Sequence, residues 1–296
     1  TIVGSSFSSD CDGGLWDCDY FRVPVPEAMD VAVDFRFPCD LPPGATYQLL
    51  MLDAAQMVVQ WWVFSNTDCD GLLVRDARVP VPAGDLFVLV KARAGGTTFG
   101  EPYSLAVRKL AFVDVRATHQ FFDPIAWMAE AGVSTGYDIG GGRAEYRPSP
   151  SVTRDAMAAF LYRAEGSPGF SAPPVSPFVD VDTAHPFYKE ITWLASRGIS
   201  TGWDVGGGKR EFRPLAPIAR DAMAAFLFRA VGPPSYAPSS YPFLDVPSTH
   251  AFAAEIAWMA ENGISTGWDV PGGKQYRPYQ PVARDAMAAF LYRVYG

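Results

Sequence analysis

Apolar residues in the first third of the chain come in short runs, several alternating with polar ones and separated by Pro, Gly and Asp. Tyr20–Val25, Val31–Phe37, Tyr47–Leu52, Val58–Phe64, Leu72–Arg75, Asp85–Arg93 and Tyr103–Arg108 are rich in β-branched and aromatic residues. That is the pattern of strands set between turns. About seven strands in this length predict an all-β sandwich over residues 1–110. Trp61 and Trp62 are neighbours on one strand and point to opposite faces. One is expected in the core, leaving the other for a sugar or a partner.

Past residue 110 the period changes from two to that of a helix. Ile125, Met128 and Ala129 stand at i, i+3 and i+4, and Ile191, Leu194, Ala195 and Ile256, Met259, Ala260 repeat the stripe. The first of these helices is expected over about His119–Ala131, closed by Gly132, with Gly198 and Gly263 closing the others. A second helix is expected over Arg154–Ala164, Arg220–Ala230 and Arg284–Val294, with stripes such as Met157, Phe160 and Leu161. Its alanine-rich faces permit close helix approach. Trp127, Trp193 and Trp258 fall off the main stripe and are read as packing between copies.

These elements belong to one unit written three times. The copies open at Phe112-Val-Asp-Val, Phe178-Val-Asp-Val and Phe243-Leu-Asp-Val. They close on Arg-Asp-Ala-Met-Ala-Ala-Phe-Leu, and their aspartates Asp114, Asp180 and Asp245 recur after 66 and then 65 residues. A period of this size marks a repeated supersecondary unit whose neighbours bury each other's apolar faces. The boundaries read as 111–169, 170–235 and 236–296.

Charge and cysteine usage narrow the setting. A net charge of −8 argues against nucleic acid or an anionic membrane as partner. No apolar run is long enough to span a bilayer. The start at Thr1, with neither Met nor a signal peptide, reads as a processed or trimmed form. All four cysteines, Cys11, Cys18, Cys39 and Cys69, lie in the β region. That clustering suggests two disulfides and an extracellular setting. Three pairings exist, of which Cys11–Cys18 with Cys39–Cys69 is favoured. A zinc site is the rival, without a Cys-x-x-Cys pair to support it.

Two acidic loops in the β region are calcium candidates. Asp10, Asp12, Asp17 and Asp19 form one, Asp68 and Asp70 the other. Carboxylates at alternate positions before a Gly suit calcium, and Asp with Gly also marks plain turns.

The repeats carry a further set of matching residues: Phe-x-Asp-Val, a His opening a helix, Ile-x-x-[LM]-Ala, Gly-[IV], Gly-[YW], [FY]-Arg-Pro and an Arg-led closing helix. This set resembles the S-layer homology (SLH) domain across about 185 residues. The resemblance implies a pseudo-threefold, mainly α bundle and attachment of exported proteins to cell-wall polysaccharide, with sugars held between adjacent copies. The β region more loosely resembles the pre-peptidase C-terminal (PPC) type of jelly-roll module. The glycan-binding candidates are Arg154, Arg220 and Arg284 as carboxylate forks at helix N-termini, with Tyr137, Trp203 and Trp268 as stacking platforms. Arg147, Arg213 and Arg277 divide between loop support and ligand contact. Asp114, Asp180 and Asp245 are read as turn pins, and His119, His185 and His250 as helix-start residues.

This chain departs from the family in reading Arg-Asp-Ala where the family has Arg-Ala-Glu, which removes the capping box. Its glycine-rich loops, such as Asp138-Ile-Gly-Gly-Gly-Arg, are longer and are expected as flexible or tight turns. No catalytic triad or paired-carboxylate constellation stands out. The expectation is therefore a non-catalytic cell-wall or cell-surface protein of a bacterium. The alternatives are a subunit of a surface lattice or filament, and the C-terminal anchor of a larger exported hydrolase.

Overall fold

The computed structural model describes residues 7–11, 16–36, 44–65, 74–94, 103–232 and 235–296. The chain divides into two compact units, Thr1–Phe122 and Asp123–Gly296. The break falls at the start of the first helix, past the end of the strand pattern at residue 110.

Among the described residues, the first unit holds two antiparallel sheets. β1 (Phe7–Cys11), β2 (Trp16–Val25), β7 (Gly84–Ala94), β4 (Ala45–Leu52) and β5 (Val58–Ser65) lie side by side in that order. β6 (Val74–Val81), β3 (Met29–Arg36) and β8 (Ser104–Lys109) form the second sheet, in that order. Strand β1 was not expected, because Phe-Ser-Ser-Asp-Cys has no apolar alternation; it is set by pairing with β2, Phe7 opposite Tyr20 and Cys11 opposite Trp16. Strand β6 runs on past the expected Leu72–Arg75 to Val81, through Pro80, a residue that in the sequence reads as a breaker. On an edge strand one side of the ladder has no partner to supply, so Pro80 sits opposite Asp30 without breaking it.

Both sheets contribute to one core. Tyr47, Leu49 and Met51 of β4 and Val88 and Val90 of β7 are buried together with Val31, Val33 and Phe35 of β3, Val79 and Val107. Phe35 stacks on Phe64 of β5 at 5.5 Å between ring centres. Trp62 packs against this core, while its neighbour Trp61 is 60% exposed. Cys18 is fully buried and disulfide-bonded. The favoured pairings rest on Cys39, Cys69 and the Cys11 side chain, which lie outside the described residues.

The second unit repeats helix–hairpin–helix three times. Copy one is α1 (Phe122–Glu130), β9 (Tyr137–Gly140), β10 (Arg143–Glu145) and α2 (Arg154–Ala164). Copy two is α3 (Tyr188–Ser196), β11 (Trp203–Asp204), β12 (Arg210–Glu211) and α4 (Arg220–Val231). Copy three is α5 (Ala253–Glu261), β13 (Trp268–Val270), β14 (Gly273–Gln275) and α6 (Arg284–Tyr295). The first helix of each copy starts three residues past its His, because the imidazole Nδ1 accepts the N–H of Phe121, Phe187 or Phe252 at 3.1 Å. The glycine-rich loops are tight hairpin turns, with Gly206, Gly207 and Gly208 all at positive φ.

Backbone hydrogen bonds tie the copies in a closed cycle. Ile218 N–H donates to Val152, Val282 N–H to Ile218, and Val152 N–H back to Val282, at 2.9–3.0 Å. Aromatic pairs follow the same cycle. Trp193 meets Tyr162 edge-on at 5.3 Å, Trp258 meets Phe228 at 5.5 Å, and Trp127 meets Tyr292 at 5.8 Å. The off-stripe tryptophans thus sit between copies.

Candidate functional site

Arg154, Arg220 and Arg284 are only 4–6% exposed. Each reaches from its own copy into the next. Arg154 Nε donates to the Phe212 carbonyl at 2.8 Å, Arg220 to Tyr276 at 2.8 Å and Arg284 to Tyr146 at 2.9 Å. Buried cations keep their charge only when carbonyls and aromatic faces replace water. Those faces are present: the Arg154 guanidinium lies 4.2 Å from the Trp203 ring centre and 4.8 Å from Phe212, and Arg220 lies 4.3 Å from Trp268. Burial nevertheless pulls Arg154 down to about 10, with nearby Arg213 adding repulsion. It stays cationic at neutral pH.

The helix N-termini do not offer the free N–H groups expected of them. Arg154 N–H donates to Ala216 and Asp155 N–H to Pro214 of the next copy; Arg220, Asp221, Arg284 and Asp285 donate in the same way around the cycle. These carbonyls take over the work of the lost capping box. Asp155 and Asp221 accept the N–H of the following residue and lie 3.5 and 3.6 Å from His185 and His250 of the next copy. Because Nδ1 of each imidazole already accepts a backbone N–H, its neutral ring carries the proton on Nε2, facing the aspartate. Desolvation raises the Asp221 pKa.

A second, more accessible set of cations lies against the same aromatic rings. Arg147, Arg213 and Arg277 hold their guanidinium groups 4.1, 4.5 and 4.5 Å from the centres of Tyr137, Trp203 and Trp268. Each aromatic thus has both a buried arginine of the preceding copy and a loop arginine of its own against its ring. The rings stay 37–42% exposed. The loop arginines have φ of 57–59°, a left-handed conformation that costs a non-glycine residue roughly 1–2 kcal/mol. Asp180 holds it in place by accepting the N–H groups of Phe212 and Arg213 at 2.8 and 2.6 Å, and Asp245 does the same for Tyr276 and Arg277. A strained backbone kept at an arginine, where glycine would be free of strain, points to a use for the side chain. Sequence gives no sign of that φ, so it does not separate loop support from ligand contact at these arginines.

Beside Trp203 opens a cleft of about 160 Å³, walled by Arg154, Gly202, Phe226, Arg229 and Phe252. Its walls come from all three copies. Among the described residues no group of three His, Cys, Asp or Glu converges to hold a metal ion. Of the calcium candidates, only Asp19 has a described side chain, and it accepts the Tyr103 hydroxyl at 2.6 Å. Asp10 and Asp17 face each other across β1 and β2, while Asp12, Asp68 and Asp70 lie outside the described residues.

Residues 111–158, 177–224 and 242–288 each match the S-layer homology domain. The chain carries three SLH domains in tandem. It is also similar to the surface-layer 125 kDa protein of Lysinibacillus sphaericus, 30% identical over 121 residues. That stretch is 40% of this chain and 10% of the relative, so the likeness spans about a tenth of the relative's length. The SLH domains and the relative together indicate a cell-surface or cell-wall protein. Among the described residues no helix is long and apolar enough to cross a membrane.

Proposed function

We propose that this protein is non-catalytic and held to cell-wall glycan by its SLH trio, which forms a pseudo-threefold body, and that it displays the β unit, a sandwich. The observation that carries this reading is the threefold grouping of buried arginine, exposed aromatic and loop arginine at each junction between copies. The exposed part of each aromatic offers an apolar contact to a pyranose ring, and an arginine fork beside it takes a carboxylate. Arg154, Arg220 and Arg284 hold the platforms from beneath and add positive charge. Arg147, Arg213 and Arg277 make the direct contact. The disulfide at Cys18 fits an extracellular setting.

Sedimentation with purified wall polymer tests the proposal. Wild type is expected to co-sediment, and the triple variant Tyr137→Ala, Trp203→Ala, Trp268→Ala to stay in solution. A second variant, Arg213→Gly with Arg277→Gly, relieves backbone strain and should keep its thermal midpoint while losing at least tenfold in affinity. Wild type that fails to bind overturns the anchoring reading. The lattice-subunit reading draws on the likeness to a surface-layer protein, and electron microscopy of concentrated protein checks it by the presence of ordered arrays.

A further inference from the structure

The three platforms differ in the residue paired with the aromatic across its hairpin. Tyr137 stands opposite Glu145, Trp203 opposite Glu211, and Trp268 opposite Gln275. In the first two hairpins that glutamate takes the loop arginine, Glu145 with Arg147 Nε at 3.0 Å and Glu211 with Arg213 Nε at 3.1 Å. Gln275 carries no charge, and among the described residues no carboxylate pairs with the Arg277 side chain; its contact is the Trp268 face. Buried Arg220 lies 4.3 Å from the centre of the same ring. The third platform therefore holds two cations with no glutamate beside them, whereas each of the other two has one cation already matched by a carboxylate.

Building on the glycan-anchoring reading, we propose that the Trp268–Arg277 platform is the principal site for an anionic, carboxylate-bearing sugar, and that Glu145 and Glu211 set the other two toward neutral sugars. A carboxylate ligand at Arg213 must displace Glu211 or share its guanidinium; at Arg277 it meets a free fork. The glutamate–arginine pairs are a third to a half exposed, so screening limits the difference to roughly two- to fivefold in affinity.

Trp203 and Trp268 provide separate reporters in the full chain through their indole N–H resonances. Titration uses oligosaccharides cut from uronate-containing wall polymer, and the same oligosaccharides after reduction of their carboxyl groups. With the acidic probe, Trp268 is expected to shift at roughly two- to fivefold lower concentration than Trp203. With the reduced probe the gap should close. Glu211→Gln should bring Trp203 to the midpoint of Trp268, and Gln275→Glu should move Trp268 to that of Trp203. If both indoles respond together in wild type, or if Glu211→Gln leaves Trp203 unmoved, this assignment is overturned while anchoring stands. If neither indole responds to either probe, both fall.

Discussion

Gly198 and Gly202 share a φ of +67°, yet they are conserved within the three copies for different physical reasons. A Cβ on Gly198 would meet nothing within 4 Å; one on Gly202 would lie 2.6 Å from the Glu211 carbonyl oxygen and 2.7 Å from the Phe178 ring. Backbone handedness costs about 1–2 kcal/mol at either site. At Gly202 forced repacking adds about 1–3 kcal/mol. Gly202 is also the hinge that brings the Trp203 strand against its partner. Urea denaturation of Gly198→Ala and Gly202→Ala is expected to show the second loss at least twice the first. Equal losses would mean that the close approach of hairpin to Phe178 contributes nothing.

At the scale of elements, the helices were legible because a 3.6-residue stripe needs only the order of residues. The hairpins were not. Strands β11 and β12 are two residues each, too short for alternation to register, and they exist because three consecutive glycines turn the chain back on itself. The burial of Arg154 was hidden for a related reason: arginine is ordinarily exposed, and the carbonyl that receives its Nε belongs to Phe212, 58 residues away. The connection between α4 and α5 rests on another nonlocal contact. Glu261 accepts the N–H and hydroxyl of Ser239 at 2.9 and 2.6 Å, and the Tyr236 hydroxyl at 2.8 Å. The Ser239 hydrogen bonds, with help from Tyr236, hold the carboxyl below its ordinary range. A depressed carboxylate stabilises the fold above its unfolded value near 4.5 and loses that contribution as pH falls through the folded value. Amide protection at Ser239 should therefore be high at pH 6 and drop below pH 4. In Glu261→Ala it should be low at both, and a pH-independent wild type would contradict the latch.

The second unit as a whole behaves as a closed cycle, and this separates it from a linear stack of repeats. In an open solenoid the loss of a terminal repeat removes one interface and leaves the others whole. Here copy three both receives from copy two and donates onward to complete the circuit through copy one. Removing it strips Arg220 of the Tyr276 carbonyl and the Trp268 face, and Phe228 of Trp258. It also removes the Val282 carbonyl that accepts Val152 and the Tyr146 carbonyl's partner Arg284. Tyr295 of α6, which donates to Glu165 at the end of α2, is lost with it. Two interfaces fail for one deletion, and only the junction of Arg154 with Phe212 and Trp203 survives. A chain of residues 1–232 is therefore expected to give poorly dispersed amide spectra from its SLH part. Residues 236–296 added in trans should restore dispersion, because the missing donors and acceptors all lie within that copy. A two-copy chain that unfolds cooperatively at the midpoint of the full protein would show that each junction stands alone, and the three platforms would then be independent sites rather than products of one ring.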